Sequence, residues 1–298
     1  MPNYKGLIEL FKKQEPVATV EEFRSWFSEH PEADGNTLID QSDLDTLSSR
    51  ILPSNFNTPL ILAIKLRLPP IVEFLLKEKN ANPNFSHTES DIAPTSEERD
   101  PKQEDDRSPL MLAAVIPNLE IVKLLTEHGA EVNPSQPVHF SSSPLIQASS
   151  NPLQDEKQAE IVTILCKNGA DLSHRDESGM TALGRAVHNS LPLVVKALLK
   201  FGADPNEKFC ESYRYSTMYE DCETTFDAAK CKVETDVVCK ENPLQVLKVL
   251  ESHLKSKQQS TTSEQGPREF IDKGAAAAVV MPPPAGITSP SSQAAARG

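Results

Sequence analysis

Aromatic side chains are scarce in this chain. Phe, Tyr and Trp make up 5% of its 298 residues, with one Trp among them. That is thin for a β-sandwich or an aromatic-lined catalytic pocket, which fill space with large planar rings. Long apolar runs are missing too. Nothing approaches the roughly 20 residues a bilayer-spanning helix needs, and the "AAAAVVM" stretch from Ala275 to Met281 is far too short. The opening "MPNYKGLIELFKKQEP" has no apolar h-region and no small-residue cleavage site, so no secretory signal is expected. Position 2 is not Gly and the C-terminus carries no prenylation box, so no lipid anchor is expected either. Positive charge is in deficit, with a formal net charge of −13. Such a chain is poorly suited to a phosphate backbone or an anionic membrane, and a basic or neutral partner surface is easier to accommodate.

Catalytic signatures are absent as well. The sequence holds no Gly-x-Ser-x-Gly elbow, no phosphate-binding glycine loop, no His-Glu-x-x-His and no kinase signature. The cysteine count, five, is odd and comes without a secretory signal, which points to a reducing compartment and a cytoplasmic protein. Cys210, Cys222, Cys231 and Cys239 lie too far apart for the closely paired ligands of a structural zinc site. No enzyme activity, no metal and no cofactor are expected from these residues.

What the chain does contain is a repeated pattern. "TPLILAIKLRLPPIVEFLLKEKNANPN" begins at Thr58 and "SPLMLAAVIPNLEIVKLLTEHGAEVN" at Ser108. "SPLIQASSNPLQDEKQAEIVTILCKNGADLS" follows from Ser143, then "TALGRAVHNSLPLVVKALLKFGADPN" from Thr181. Each copy opens on Thr or Ser, followed in three of the four by Pro (Pro59, Pro109, Pro144). A hydroxyl that caps a free amide, with proline at the first helical position, marks a helix start. Small residues then recur at Ala63, Ala113, Ala114, Ala148 and Ala186, predicting close approach between neighbouring first helices. A second helix is predicted over Ile71–Leu76, Ile121–Leu125, Ile161–Leu165 and Val194–Leu199, where apolar residues recur at i, i+3 and i+4. It ends at Gly129, Gly169 and Gly202, or at Asn80 in the first copy, residues that tolerate a left-handed cap.

The recurring Thr-Pro-Leu-x-x-Ala, Ile/Val-Val-x-x-Leu-Leu and Gly-Ala-Asp-x-Asn elements resemble the ankyrin repeat, a unit of roughly 33 residues with two antiparallel helices and a β-turn finger. The resemblance departs where the family's His is replaced by Ile61, Met111, Ile146 and Gly184. It implies an all-α solenoid of about five to six helix-turn-helix units that binds another protein and works as a monomer. Four repeats are placed at residues 57–84, 107–133, 142–173 and 180–206, after an N-terminal helical cap with a degenerate repeat at 1–56. In that cap "GNTLI", ending at Ile39, reads as a truncated first helix. A degenerate fifth repeat, "TTFDAAK" with "NPLQVLKVLESHL", closes residues 207–254. From Lys255 the text becomes rich in Ser, Ala, Pro and Gln and predicts a disordered tail. Ankyrin proteins that intracellular bacteria deliver into a host cytosol carry similar tails, so the resemblance leaves a translocated effector open beside an adaptor.

Three insertions interrupt the pattern. Residues 85–106 are acidic and aperiodic, and read as a solvated loop or a clasp for a basic partner. Ser149 to Gln158 reads as a neutral lengthening of one turn. "EKFCESYRYSTMYEDC", Glu207 to Cys222, holds three of the four tyrosines. Tyr, Arg and Met favour interface cores, so Tyr213, Arg214, Tyr215 and Tyr219 are candidate partner-binding residues, the alternative being a loop folded back on the repeats. By the resemblance, residues projecting from the first helices read the partner: Leu62 and Lys65, Leu112 and Val115, Gln147 and Ser150, Arg185 and His188. The polar members are the stronger expectation.

Overall fold

A computed structural model describes residues 4–13, 18–36, 39, 58–85, 107–134, 142–152, 154–208, 223–235 and 241–263. Side chains are described as far as Lys257, where the chain divides by compactness into Met1–Lys257 and a second unit, Gln258–Gly298. The described residues form twelve helices. We number them α1 (Lys5–Lys12), α2 (Val20–Glu29), α3 (Pro59–Lys65), α4 (Pro69–Glu78), α5 (Pro109–Val115) and α6 (Leu119–Glu127). The series continues with α7 (Pro144–Ala148), α8 (Asp155–Lys167), α9 (Ala182–His188), α10 (Pro192–Lys200), α11 (Thr225–Thr235) and α12 (Glu241–Ser263).

Most of these helices are too short to hold in water alone, because a nucleus costs more than a few added turns return. Stacking stabilises them. The first helices form one layer, α3 on α5, α5 on α7, α7 on α9 and α9 on α11. The second helices form another, α2 on α4, α4 on α6, α6 on α8 and α8 on α10. The second-helix triplets Ile121, Val122 and Leu125, and Ile161, Val162 and Leu165, are wholly buried between the layers. Each such side chain contributes on the order of 1.5–3 kcal/mol. Ala63, Ala114, Ala148 and Ala186 are equally buried, and their size is what permits the first helices to close up.

The helix ends follow the sequence signals. The Thr58, Ser108, Ser143 and Thr181 hydroxyls each accept from the backbone N–H three residues on, at 3.2–3.3 Å. Thr224 does the same for Asp227, so the degenerate fifth repeat keeps its start signal. Gly129, Gly169 and Gly202 have φ of 82°, 80° and 99°, and Asn80 takes the same place at 49°. These are left-handed caps.

Fingers are tied to one another by asparagine. Asn84 donates from Nδ2 to the Gly129 carbonyl at 3.0 Å, and its Oδ1 accepts from Glu131 N–H at 2.7 Å. Asn133 repeats this pair on Gly169 and Asp171, at 2.8 Å each. Asn36 opens the series on Asn80 and Asn82. Each asparagine thus satisfies one orphan carbonyl and one orphan amide of the next repeat. At the close of the third repeat Ser173 stands in the asparagine position and bonds Asp171 of its own finger instead. There the series stops.

Two expectations change, and a third falls partly outside the described residues. Thr37 and Leu38 of the expected "GNTLI" first helix lie outside them; Gly35 and Asn36 before them form a bend pressed against the next finger, where a Cβ at Gly35 would lie 2.5 Å from the Ala81 Cβ. The helical region does not end at residue 254: α12 runs on to Ser263, past the boundary that composition sets at Lys255. The remainder of the tail lies outside the described residues. The Ser149–Gln158 insertion is no neutral turn either. Its second half winds into the first turn of α8, which reaches 13 residues. Asp155 then accepts from Leu193 and Val194 N–H of the next repeat, at 2.9 and 3.0 Å. Asp155 therefore caps α10, whose own N-cap residue Leu191 supplies no side-chain bond.

Candidate functional site

The exposed surface of the first-helix layer follows from helix geometry. Counting from each capping hydroxyl, the fourth and seventh residues lie on one face, one turn apart. The fourth position holds Leu62, Leu112, Gln147 and Arg185, and the seventh holds Lys65, Val115, Ser150 and His188. Lys65, Val115, Gln147, Ser150, Arg185 and His188 are all partly exposed.

Leu62 and Leu112 are corrected. They are 0% and 3% exposed and belong to the core, so they present no surface to a partner. The physical reason is that their layer closes over an apolar side chain, whereas Gln147 and Arg185 at the same position carry polar ends that stay at the edge. The Gln147 amide donates to Ser142 Oγ at 3.0 Å and the Ser150 hydroxyl to the Ile146 carbonyl at 2.7 Å. Tyr213, Arg214, Tyr215 and Tyr219 lie outside the described residues.

The fourth repeat carries most of the polar chemistry. Asp176 closes a tight turn by accepting from Ser178 and Met180 N–H, at 2.9 and 3.0 Å. The Arg185 guanidinium pairs with that carboxylate and donates to Ser178 Oγ at 3.1 Å. Arg185 is thus a clamp on its own repeat's turn before it is a contact for anything else. Arg175 donates to the Gly179 and Lys208 carbonyls at 2.8 and 2.9 Å and pairs with Glu207. Burial pushes the Glu207 carboxyl up in spite of Arg175, its ion-pair partner. His188 is held below its ordinary range, first by burial and then by the positive charges of Lys232 and Arg185. Lys232 of α11 donates to the His188 carbonyl, tying the fifth repeat to the end of α9.

The tyrosine-rich insertion departs from this cluster. Lys208 and Thr224 form an antiparallel bridge across its base, and Phe226 N–H donates to the Pro205 carbonyl at 3.0 Å. The excursion therefore leaves and returns at the finger of the fourth repeat, next to the residues that hold Arg185.

Several of these groups escape motif reading. Gln158 is 0% exposed, and with its amide nitrogen turned inward it donates to the Ala148 and Ala114 carbonyls at 3.1 and 3.2 Å. Gln158 stands in the polar stretch 154–160, so the sequence signals neither its burial nor its partners. The asparagine staples had a visible signal, the recurrence of Asn at the close of each finger, at Asn84 and Asn133. Of the cysteines, Cys166 is half-buried with its thiol pushed up to about 11 by burial. Cys231 sits on α11, while Cys210, Cys222 and Cys239 lie outside the described residues. No group of acidic, His and Cys side chains that could hold a metal occurs among the described residues, and no described helix is long and apolar enough to cross a membrane.

Stacked helix pairs, hydroxyl caps, left-handed glycines and linked fingers together define a repeat solenoid. Family models agree on which one: the model for three ankyrin repeats matches residues 89–176 and 110–209, and that for a single ankyrin repeat matches 55–87. These spans cover more than half of the chain, which belongs to the ankyrin-repeat family. It is similar to the ankyrin repeat protein FPV031 of Fowlpox virus (strain NVSL), at 32% identity over 108 residues. That match covers 36% of this chain and 30% of the viral protein, so it spans less than a third of that relative's length.

Proposed function

We propose that this chain is a non-catalytic adaptor that binds a partner protein through the exposed face of its first helices and the fingers beside them. The observation that carries the reading is the contrast between the two sides of the first-helix layer. Within α3, α5, α7 and α9 the buried positions are apolar, whereas the partly exposed ones along the same face change chemistry from repeat to repeat: Lys65, Val115, Gln147 with Ser150, then Arg185 with His188. A face of that kind suits recognition by surface complementarity, and fold alone does not name what it recognises. The family's typical role as an interaction module supports the same reading. A cytoplasmic site of action accords with the cysteine usage.

In this reading Tyr213, Arg214, Tyr215 and Tyr219 also take part in binding the partner. Replacing Tyr213, Tyr215 and Tyr219 together with Ala should weaken partner capture by about 2 kcal/mol or more, the scale of an interface hot spot. Circular dichroism of the same preparation should show an unchanged fold. Ser108→Ala is the control. It removes the cap of α5 and should lower stability by about 1 kcal/mol while sparing affinity. A triple tyrosine variant that melts early and still captures the partner would show that these rings only pack.

A further inference from the structure

The second-helix side holds a feature the adaptor reading leaves unused. Between α10 and α12 lies a cavity of about 450 Å³, lined from α10 by Lys196, Leu199 and Lys200 and from α12 by Val249, His253 and Ser256. Its volume falls in the lower half of the roughly 300–1,000 Å³ range of ligand sites. That is room for a few side chains.

The walls have one sign of charge. Every titratable side chain lining the cavity is a base, on a chain whose net charge is −13. Lys196 and Lys200 are exposed and stand four residues apart on one helix, a spacing at which like charges repel. Lys200 suits the C-terminal end of α10, where the helix dipole favours a cation. Lys196, a turn earlier, gains little from that dipole. Across the cleft, the Nε2 of His253 is buried and has no hydrogen-bond partner, an arrangement that folded proteins rarely leave unanswered. Burial and the nearby Lys257 hold this imidazole below its ordinary range, so an added anion would relieve it. The floor between the basic walls is apolar, with Leu199 buried and Val249 partly so.

We propose that the cleft between α10 and α12 receives an acidic segment of a partner protein. One carboxylate of the segment sits against Lys196, Lys200 and His253, and an adjoining apolar side chain rests on Leu199 and Val249. A small inorganic anion would leave the apolar floor unused, whereas an amphipathic acidic segment fills both parts. This site is separate from the exposed first-helix face and stands or falls without it.

The test uses the full chain and a fluorescein-labelled peptide built from alternating pairs of glutamate and leucine, followed by fluorescence anisotropy. Saturable binding is expected. The paired substitution Lys196→Glu with Lys200→Glu should weaken it at least about tenfold, in keeping with the loss of close charge pairs. Both lysines are exposed, so their replacement leaves the fold intact, and circular dichroism checks this. His253→Ala should weaken binding as well, and a peptide with glutamine in place of glutamate should bind about tenfold less tightly. Equal affinity for the double lysine variant, or for the glutamine peptide, overturns the proposal. So does the absence of saturable binding to the wild-type chain, or complete displacement by inorganic phosphate at constant ionic strength, which would mark a simple anion site. Lys65→Ala with His188→Ala should leave the affinity unchanged. A loss there would place the peptide on the first-helix face and overturn this inference while leaving the adaptor reading standing.

Discussion

Replacing Asp155 offers a sharp test of how one repeat supports the next. Its carboxylate accepts from the Leu193 and Val194 amides at 2.9 and 3.0 Å, the first free donors of α10 once Pro192 has removed its own. Asp155→Ala leaves both without a partner. Losing a side-chain cap costs about 0.5–2 kcal/mol, and losing a negative charge at a helix start adds about 0.3–1 kcal/mol. Val194 is buried and Leu193 exposed, so water recovers one of the two bonds and the sum should fall near ~1.5 kcal/mol. Asp155→Asn keeps one acceptor and should lose roughly half of that. Urea denaturation followed by circular dichroism measures both, and the slope should stay constant because little buried surface changes. An Asp155→Ala protein as stable as wild type would refute the cap and restore the neutral reading of the Ser149–Gln158 insertion.

Other outcomes follow from the same geometry. A Cβ at Gly169 would meet nothing within 4 Å, so Gly169→Val should lose only the left-handed penalty, about 1–2 kcal/mol, whereas Gly35→Ala must displace Ala81 and should lose more. Asn80→Gly should be neutral or mildly stabilising, because φ is already 49° there; thermal melts rank the three. His188 and His253 both have folded values held below the ordinary 6.5, so the unfolded chain takes up these protons first. Stability should then be full above pH 6.5, fall as the pH drops below it, and level off beneath the folded values. Urea melts between pH 7.5 and 5.5 would show this loss, and His188→Gln should reduce it.

How far the sequence reaches can be seen residue by residue. Thr58, Ser108, Ser143 and Thr181 announce their helices because a cap is local: donor and acceptor lie three residues apart. The left-handed glycines are legible for the same reason. Asp155 and Gln158 were not, since their partners stand ten or more residues away: Asp155 bonds Leu193 and Val194 of the next repeat, and Gln158 bonds Ala148 of its own repeat and Ala114 of the one before. Leu62 and Leu112 show a related limit in the candidate site. A position that faces outward when polar turns inward when apolar, and only packing decides between the two. The cleft between α10 and α12 was invisible because it arises from two helices that do not follow one another in the chain.

The break at Ser173 gives the row of fingers a grain. From Asn36 to Asn133 each finger is laced to the next by two bonds, so a push on one is passed along all four, as far as the finger that holds Asp171 and Ser173. Beyond Ser173 that lacing is replaced by the Arg175 clamp on Glu207 and Lys208, which ties the finger closing the third repeat to the root of the tyrosine-rich excursion. The fingers therefore form one laced row of four, joined to the excursion by the Arg175 side chain. A load taken up at the root of the excursion would reach the laced fingers through Arg175, and hydrogen exchange at Glu131 and Asp171 would report whether it does.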